Sequence, residues 1–248
     1  MTRYITLLFL LLFPVFILGT TIHDQLAKID TLYDTRDQDN HIKESLVLID
    51  SSKDYIQNKR HDYELLWRYA RSASRTPDYL VASKKEKLAI LAKGVTLGKQ
   101  AIELYPKKTD GHYWYAISLG REAELKGILQ SLSSIKPIQE TMKIILELDP
   151  NYHRAHFVLS RLYRKAPKVI SIGDPKKSLK HIDIALSMDP TESMYLLEKA
   201  RVLVKLKKKS KARSFLREFL NMPYNPKYFK DQVERDKADA KILLDKIS

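Results

Sequence analysis

Apolar positions recur at helical spacing along most of this chain. In the closing segment "PKYFKDQVERDKADAKILLDKI" (226–247), Phe229, Val233, Ala240, Leu244 and Ile247 fall on one stripe with charged residues between them. Such a stripe predicts an amphipathic helix lying on a core. Ten further segments of the same kind precede it and group into five pairs. The pairs are 21–34 with 41–56, 63–74 with 79–105, 110–125 with 137–148, 152–166 with 177–188, and 192–206 with 209–220. The second member of three pairs ends alike, in "AIELYP", "ILELDP" and "ALSMDP", with prolines at 106, 150 and 190. Proline cannot continue a helix, so each one lets the chain fold back into the next pair.

Steps of 44 and 40 residues between those prolines point to a repeat array. The tetratricopeptide (TPR) repeat has 34 residues in two antiparallel helices, A and B, with a proline closing B. In that register Ser178, Ile182, Ala185, Ala200, Leu203, Ala212 and Leu216 occupy the small and apolar positions where A packs on B. The last unit fits without insertion. The third is about ten residues too long between its helices, around "LKGILQSLSS", and the fourth about six too long. In the fourth, Asp174 is placed to N-cap helix B, with Pro175 supplying the first-turn dihedral. The expected fold is all-α: a TPR-like superhelix of about five pairs and a C-terminal capping helix over residues 21–248.

The first twenty residues, "MTRYITLLFLLLFPVFILGT", read as a signal peptide or N-terminal anchor, with Gly19 and Thr20 at its end. The expected location is periplasmic or secreted, or membrane-anchored if the segment stays. There is no cysteine, which excludes disulfides, thiol catalysis and cysteine-bound metals. The net charge of +14 favours anionic partners. The charge alone would suit nucleic acid, but an exported chain rarely meets it, so none is expected.

"GHYWYAISLGR", "VLSRLYRKAP", "IGDPKKSLKHIDIALSMDP" and "KKSKARSFLREFL" resemble the T component of TRAP transporters, a periplasmic TPR-like protein. They also resemble the helical domain of the regulator of microtubule dynamics family. The resemblance covers roughly residues 22–222. It implies a TPR-like fold, no catalytic chemistry, and a periplasmic solute-binding protein as partner. Some members are lipoproteins, and this chain has no cysteine to carry the lipid.

In a TPR array the concave groove is lined by A-helix residues spaced i, i+4, i+7, which share a face. That register selects Trp67 and Arg71, then Tyr113, Ile117 and Arg121, then Phe157, Arg161 and Arg164, then Leu197 and Arg201. The expectation is an apolar shelf with a row of arginines, suited to an acidic peptide or an amphipathic carboxylate. His112 and His156 share a position in successive repeats and are expected near one another. They do not form a metal-ligand set, and no cofactor is expected. "KLKKKSKAR" (205–213) falls on the A-to-B turn of the last repeat. No phosphate loop, nucleophile elbow or cysteine–histidine pair occurs, so the chain is not expected to be an enzyme. The leading reading is an exported binding module, an adaptor or ligand-holding accessory beside a solute-binding protein. The alternative is a structural scaffold in envelope assembly, and self-association is compatible with either.

Overall fold

A computed structural model describes residues 21–38, 40–55, 57–168 and 171–248. The expected leader, residues 1–20, lies outside them. The described residues form twelve α-helices and one 3₁₀ turn, with no strand among them. Helix α1 (Ile22–Asp34) starts with a reciprocal cap: Thr21 accepts from the Asp24 amide, and the Asp24 carboxylate accepts from the Thr21 amide. Helix α2 (His41–Ser51) ends earlier than its sequence pattern suggests, passing into a 3₁₀ turn at Ser52–Tyr55.

The second pair is α3 (Lys59–Ala73) and α5 (Lys84–Leu104), with a single turn, α4 (Thr76–Tyr79), between them. The long B segment is therefore split. Ser83 and Glu86 form a capping box that fixes the start of α5. The third pair, α6 (Thr109–Lys126) and α7 (Ile128–Leu148), corrects the expectation of a long connection. Its excess residues are helix: α7 begins immediately after Gly127 and carries Pro137 in its interior. Gly127 turns the chain with φ of 119°, a conformation that a side chain would strain.

The fourth pair is α8 (His153–Lys165) and α9 (Pro175–Met188), the fifth α10 (Ser193–Lys205) and α11 (Lys209–Asn221). Asp174 caps α9 as expected, accepting from the amides of Lys176 and Lys177. Each B helix packs on the next A helix, and the chain ends in α12 (Lys230–Ile247), which lies on α10 and α11. The repeat positions read from sequence are interior: Ser178, Ile182, Ala185, Ala200, Ala212 and Leu216 are fully buried. On α12, Val233, Ala240 and Ile247 are buried and Leu244 partly so, as the stripe requires.

Phe229, the first stripe residue, lies instead against the other end of the array. Its ring meets Tyr33 edge-on at 6.4 Å, and the Arg36 guanidinium stacks on it at 3.5 Å. Tyr79 of α4 hydrogen-bonds Asp231 and accepts from Arg235. The superhelix therefore closes, with α12 lying across the mouth of the groove.

Candidate functional site

Closure turns the concave face into a cavity of about 430 Å³. Its walls are the A helices and its lid is α12. Seven of the ten groove residues selected from sequence line it: Tyr113, Ile117, Arg121, Phe157, Arg161, Leu197 and Arg201. They converge because α6, α8 and α10 present the same helical face to one side, as the i, i+4, i+7 spacing requires. Phe157 and Tyr195 pack at 5.0 Å, and Tyr113 packs edge-on against Trp114.

Three selected residues are elsewhere. Arg71 is buried between α3 and α1, where it pairs with Asp30 at 2.5 Å and stacks on Tyr33. Arg68 grips the same Asp30 with two further hydrogen bonds, and these cations hold the carboxyl below its usual range against the opposing effect of burial. Trp67 donates to Glu64 and packs under both guanidiniums, so it belongs to the same inter-repeat contact. The register of the second repeat is displaced by one turn: Ser74, Arg75 and Asp78 face the cavity in their place. Arg164 turns away into a two-point ion pair with the almost fully buried Glu198, at 2.7 and 2.8 Å.

The arginine row is not bare. Arg121 pairs with Asp78, and Arg201 with Asp239 at 2.7 Å. Glu124 is approached by three cations: Lys165 at 2.9 Å, Arg121 at 3.6 Å and Arg161 at 3.7 Å. Burial pushes the Glu124 carboxyl up, but the Lys165 hydrogen bond and the three positive charges outweigh it and hold it low. Burial and the Arg161 charge push Lys165 down, against the pull of Glu124. One carboxylate thus serves three cations. Beneath it is a smaller hollow of about 120 Å³, floored by Ile117, Ile138, Phe157, Val158 and Leu162. Gly120 opens this floor; a Cβ there would come within 3.4 Å of Ile138.

Sequence reasoning missed Arg75, Asp78, Glu124, Lys165 and the α12 face formed by Gln232, Asp236 and Asp239. Glu124 and Lys165 lie one turn beyond Arg121 and Arg161, so continuing the same helical face reaches them. The α12 residues carry no repeat signal. Asp236 is buried there, its carboxyl pushed up by burial while Ser193 and Gln232 donate to it.

The histidines pair differently from the expectation. His112 bonds the Pro106 carbonyl at 2.7 Å, whereas His156 meets His181 of its own repeat, Nδ1 to Nδ1, at 2.9 Å. Their helices are partners within one hairpin, which brings them closer than neighbouring repeats do. Among the described residues no three or more His, Cys, Asp or Glu side chains could hold a metal ion.

A family model for "Regulator of microtubule dynamics protein 1-3" matches residues 25–248. Regulator of microtubule dynamics protein 1 of Bos taurus is 30% identical over 89 residues, 36% of this chain and 28% of the relative. Protein 3 of Mus musculus is 31% identical over 140 residues, 55% of this chain and 28% of the relative. These matches span under a third of the relatives' own length. Among solved structures, a thermophilic TPR protein of Thermus thermophilus superposes with a TM-score of 0.65 at 15% identity, over 90% of this chain and all of that one. MamA of Desulfovibrio magneticus RS-1 gives 0.50 at 14% identity, over 86% and 97%. These two show the fold alone. The matched family is the regulator half of the resemblance read from sequence; the transporter component is not supported by these matches. The relatives are mammalian regulators of microtubule dynamics, which overturns the expected periplasmic or secreted location.

Proposed function

We propose, from the premise that this chain belongs to the regulator of microtubule dynamics protein 1-3 family, that it binds an acidic, amphipathic segment of a partner protein along its A-helix groove. Residues 21–248 then act as one TPR-like binding domain, a reading supported by the family match over 25–248. The observation that carries the proposal is the cluster of Arg121, Arg161 and Lys165 above an apolar floor, with Glu124 shared among all three and Asp78 serving Arg121 alone. A further carboxylate, brought by a partner to Arg161 and Lys165, would complete the charge pairing while an adjacent apolar side chain fills the hollow. A charged hydrogen bond is worth about 1.5–3 kcal/mol, so one lost arginine weakens binding about tenfold or more. The relatives' name directs the choice of partner to microtubules. The role is one of binding, and no catalytic step is assigned.

The test is calorimetry with acidic peptides carrying apolar residues, together with co-sedimentation on polymerised tubulin. Arg161→Ala is expected to reduce affinity about tenfold, and Lys208→Ala, outside the groove, to leave it nearly unchanged. Equal losses from both variants would reduce the attraction to net charge and defeat the groove reading. Peptide binding without co-sedimentation would keep the groove and remove the microtubule.

A further inference from the structure

In antiparallel hairpins stacked in parallel, all the A-to-B turns lie along one edge of the array and all the B-to-A turns along the other. The two edges differ in how their lysines are held. The first A-to-B turn, 35–40, has no lysine and exposes Asp37, but from the second pair onward exposed lysines stand along this edge at Lys84 and Lys85, at Lys168, Lys176 and Lys177, and through the run 205–211. The B-to-A turns at 149–152 and 189–192 carry Asp149, Asp189 and Glu192 and no lysine. The other B-to-A turns hold or adjoin Lys53, Lys59, Lys107, Lys108, Lys227 and Lys230, of which Lys53, Lys108, Lys227 and Lys230 are paired with Asp50, Glu64, Asp189 and Glu234. The "KLKKKSKAR" run is therefore one part of a longer basic edge.

The same edge carries an apolar tip. Ile128 and Leu129 are 80% and 85% exposed, and Val81 is fully exposed. Their proximity follows from the α5–α6 register. Gly98 faces Tyr115 and Gly94 faces Ser118, so the antiparallel pairing carried outward sets Lys84 and Lys85 opposite Gly127 and Ile128. Val81, just before α5, lies at the same end. The left-handed turn at Gly127 starts α7 directly at the tip, leaving these side chains projecting, with Lys126 beside them. Two adjacent large aliphatic residues facing water are costly unless something covers them.

We propose that this edge docks on a lipid bilayer bearing anionic headgroups. Ile128, Leu129 and Val81 enter the interface, and the lysines along the edge meet the headgroup charge. The combination decides between surfaces. A bilayer interface takes both at once, the aliphatic tip at the acyl boundary and lysines spread over several repeats against a continuous layer of headgroup charge. No described helix is long and apolar enough to cross a membrane, so the contact is peripheral. The groove lies on the concave face, and this proposal does not depend on its ligand.

Because the chain has no cysteine, a single introduced one can be labelled uniquely. Full-length Leu129→Cys carrying an environment-sensitive fluorophore is mixed with phosphatidylcholine vesicles, with and without phosphatidylserine. Lys107→Cys, exposed on the opposite edge, is the control. The expected result is a blue-shifted, brighter emission at position 129 only, and only with phosphatidylserine. Adding Lys208→Glu and Lys209→Glu weakens the vesicle partition roughly tenfold or more. An unchanged signal at 129, or equal changes at 129 and 107, would overturn the proposal, because another segment would then be making the contact. An equal response to soluble polyglutamate would also overturn it, in favour of an acidic protein surface.

Discussion

Helices α5 and α6 touch through glycine, whereas α8 and α9 touch through hydroxyls and imidazoles. At the first seam a Cβ on Gly98 would lie 2.9 Å from the Tyr115 Cα, and one on Gly94 would lie 3.3 Å from the Ser118 Oγ. At the second, Ser178 donates to the Ser160 carbonyl at 2.9 Å, and the two serine hydroxyls lie 3.0 Å apart. His156 and His181 meet beside them, with Tyr163 stacked on His181 at 5.5 Å. Both arrangements bring helices close. One deletes the side chain and meets backbone, so it has no room to yield. The other keeps polar side chains and pairs them, so its strength depends on protonation.

The sharpest way to break this contrast is Gly98→Val. Its added atoms would meet Tyr115 backbone, which cannot rotate away, and the expected loss is about 3 kcal/mol or more. Gly120→Ala is the matching control, since it meets only the mobile end of Ile138. It should be neutral or slightly stabilising, because alanine favours a helix over glycine by about 1 kcal/mol. Urea denaturation of both reads the difference. If they lose equally, backbone approach is not what distinguishes the first seam.

Ala212→Leu tests whether close packing extends to the last repeat, where Ala212 is fully buried. Overpacking there is expected to cost about 1–3 kcal/mol in the same measurement. A wild-type midpoint would remove Ala212 from the tightly packed set.

The polar seam should respond to acid. Burial, then the charges of His156, Lys180 and Lys177, push the His181 imidazole down to about 4, and burial pushes His156 down as well. The unfolded chain titrates these groups near 6.5 and so takes up protons first as pH falls. Their contribution is therefore complete above about pH 6.5 and is lost progressively toward about 4, by roughly 2 kcal/mol. Glu192 acts in the opposite sense. Burial raises its carboxyl to about 7, so its contribution declines as pH rises through that range. Comparing wild type with His181→Gln isolates the histidine effect. The variant should flatten the fall in stability between pH 6.5 and 4.5, and an unchanged slope would show that the seam does not titrate as described.

Smallest of all is Lys208→Ala, on the exposed A-to-B edge. Its melting temperature should match wild type, within the ~0.5 kcal/mol of an ordinary surface change. A larger shift would show that the basic edge contributes to folding and not only to surface chemistry.

Reading residues in their repeat register placed much of the groove but not its partners. Tyr113, Phe157 and Leu197 were recoverable because helical spacing alone decides which side of α6, α8 and α10 they occupy. Trp67 and Arg71 were not, because the segment from Ser74 to Ser83, with the single turn α4, separates α3 from the register set by Pro106, and α1 packs on α3 there. The lysines of 205–213 read as a solvated turn, and only the stacking of hairpins shows them as one stretch of a basic edge.

By itself the sequence determined the all-α repeat, the hairpin boundaries marked by Pro106, Pro150 and Pro190, the Asp174 cap and the stripe of α12. All of these are local, set by spacing of a few residues and by the geometry of proline and capping side chains. Only the tertiary structure decided that the excess residues of the third unit extend α7, since a turn at Gly127 and packing on α6 favour helix over loop there. It also decided that the arginine row is partnered by Asp78, Glu124 and Asp239, and that Phe229 and Asp231 reach back to Tyr33 and Tyr79 to close the groove. Phe229 and Tyr33 stand 196 positions apart, and no periodicity along a chain encodes which of its faces will meet at such a distance.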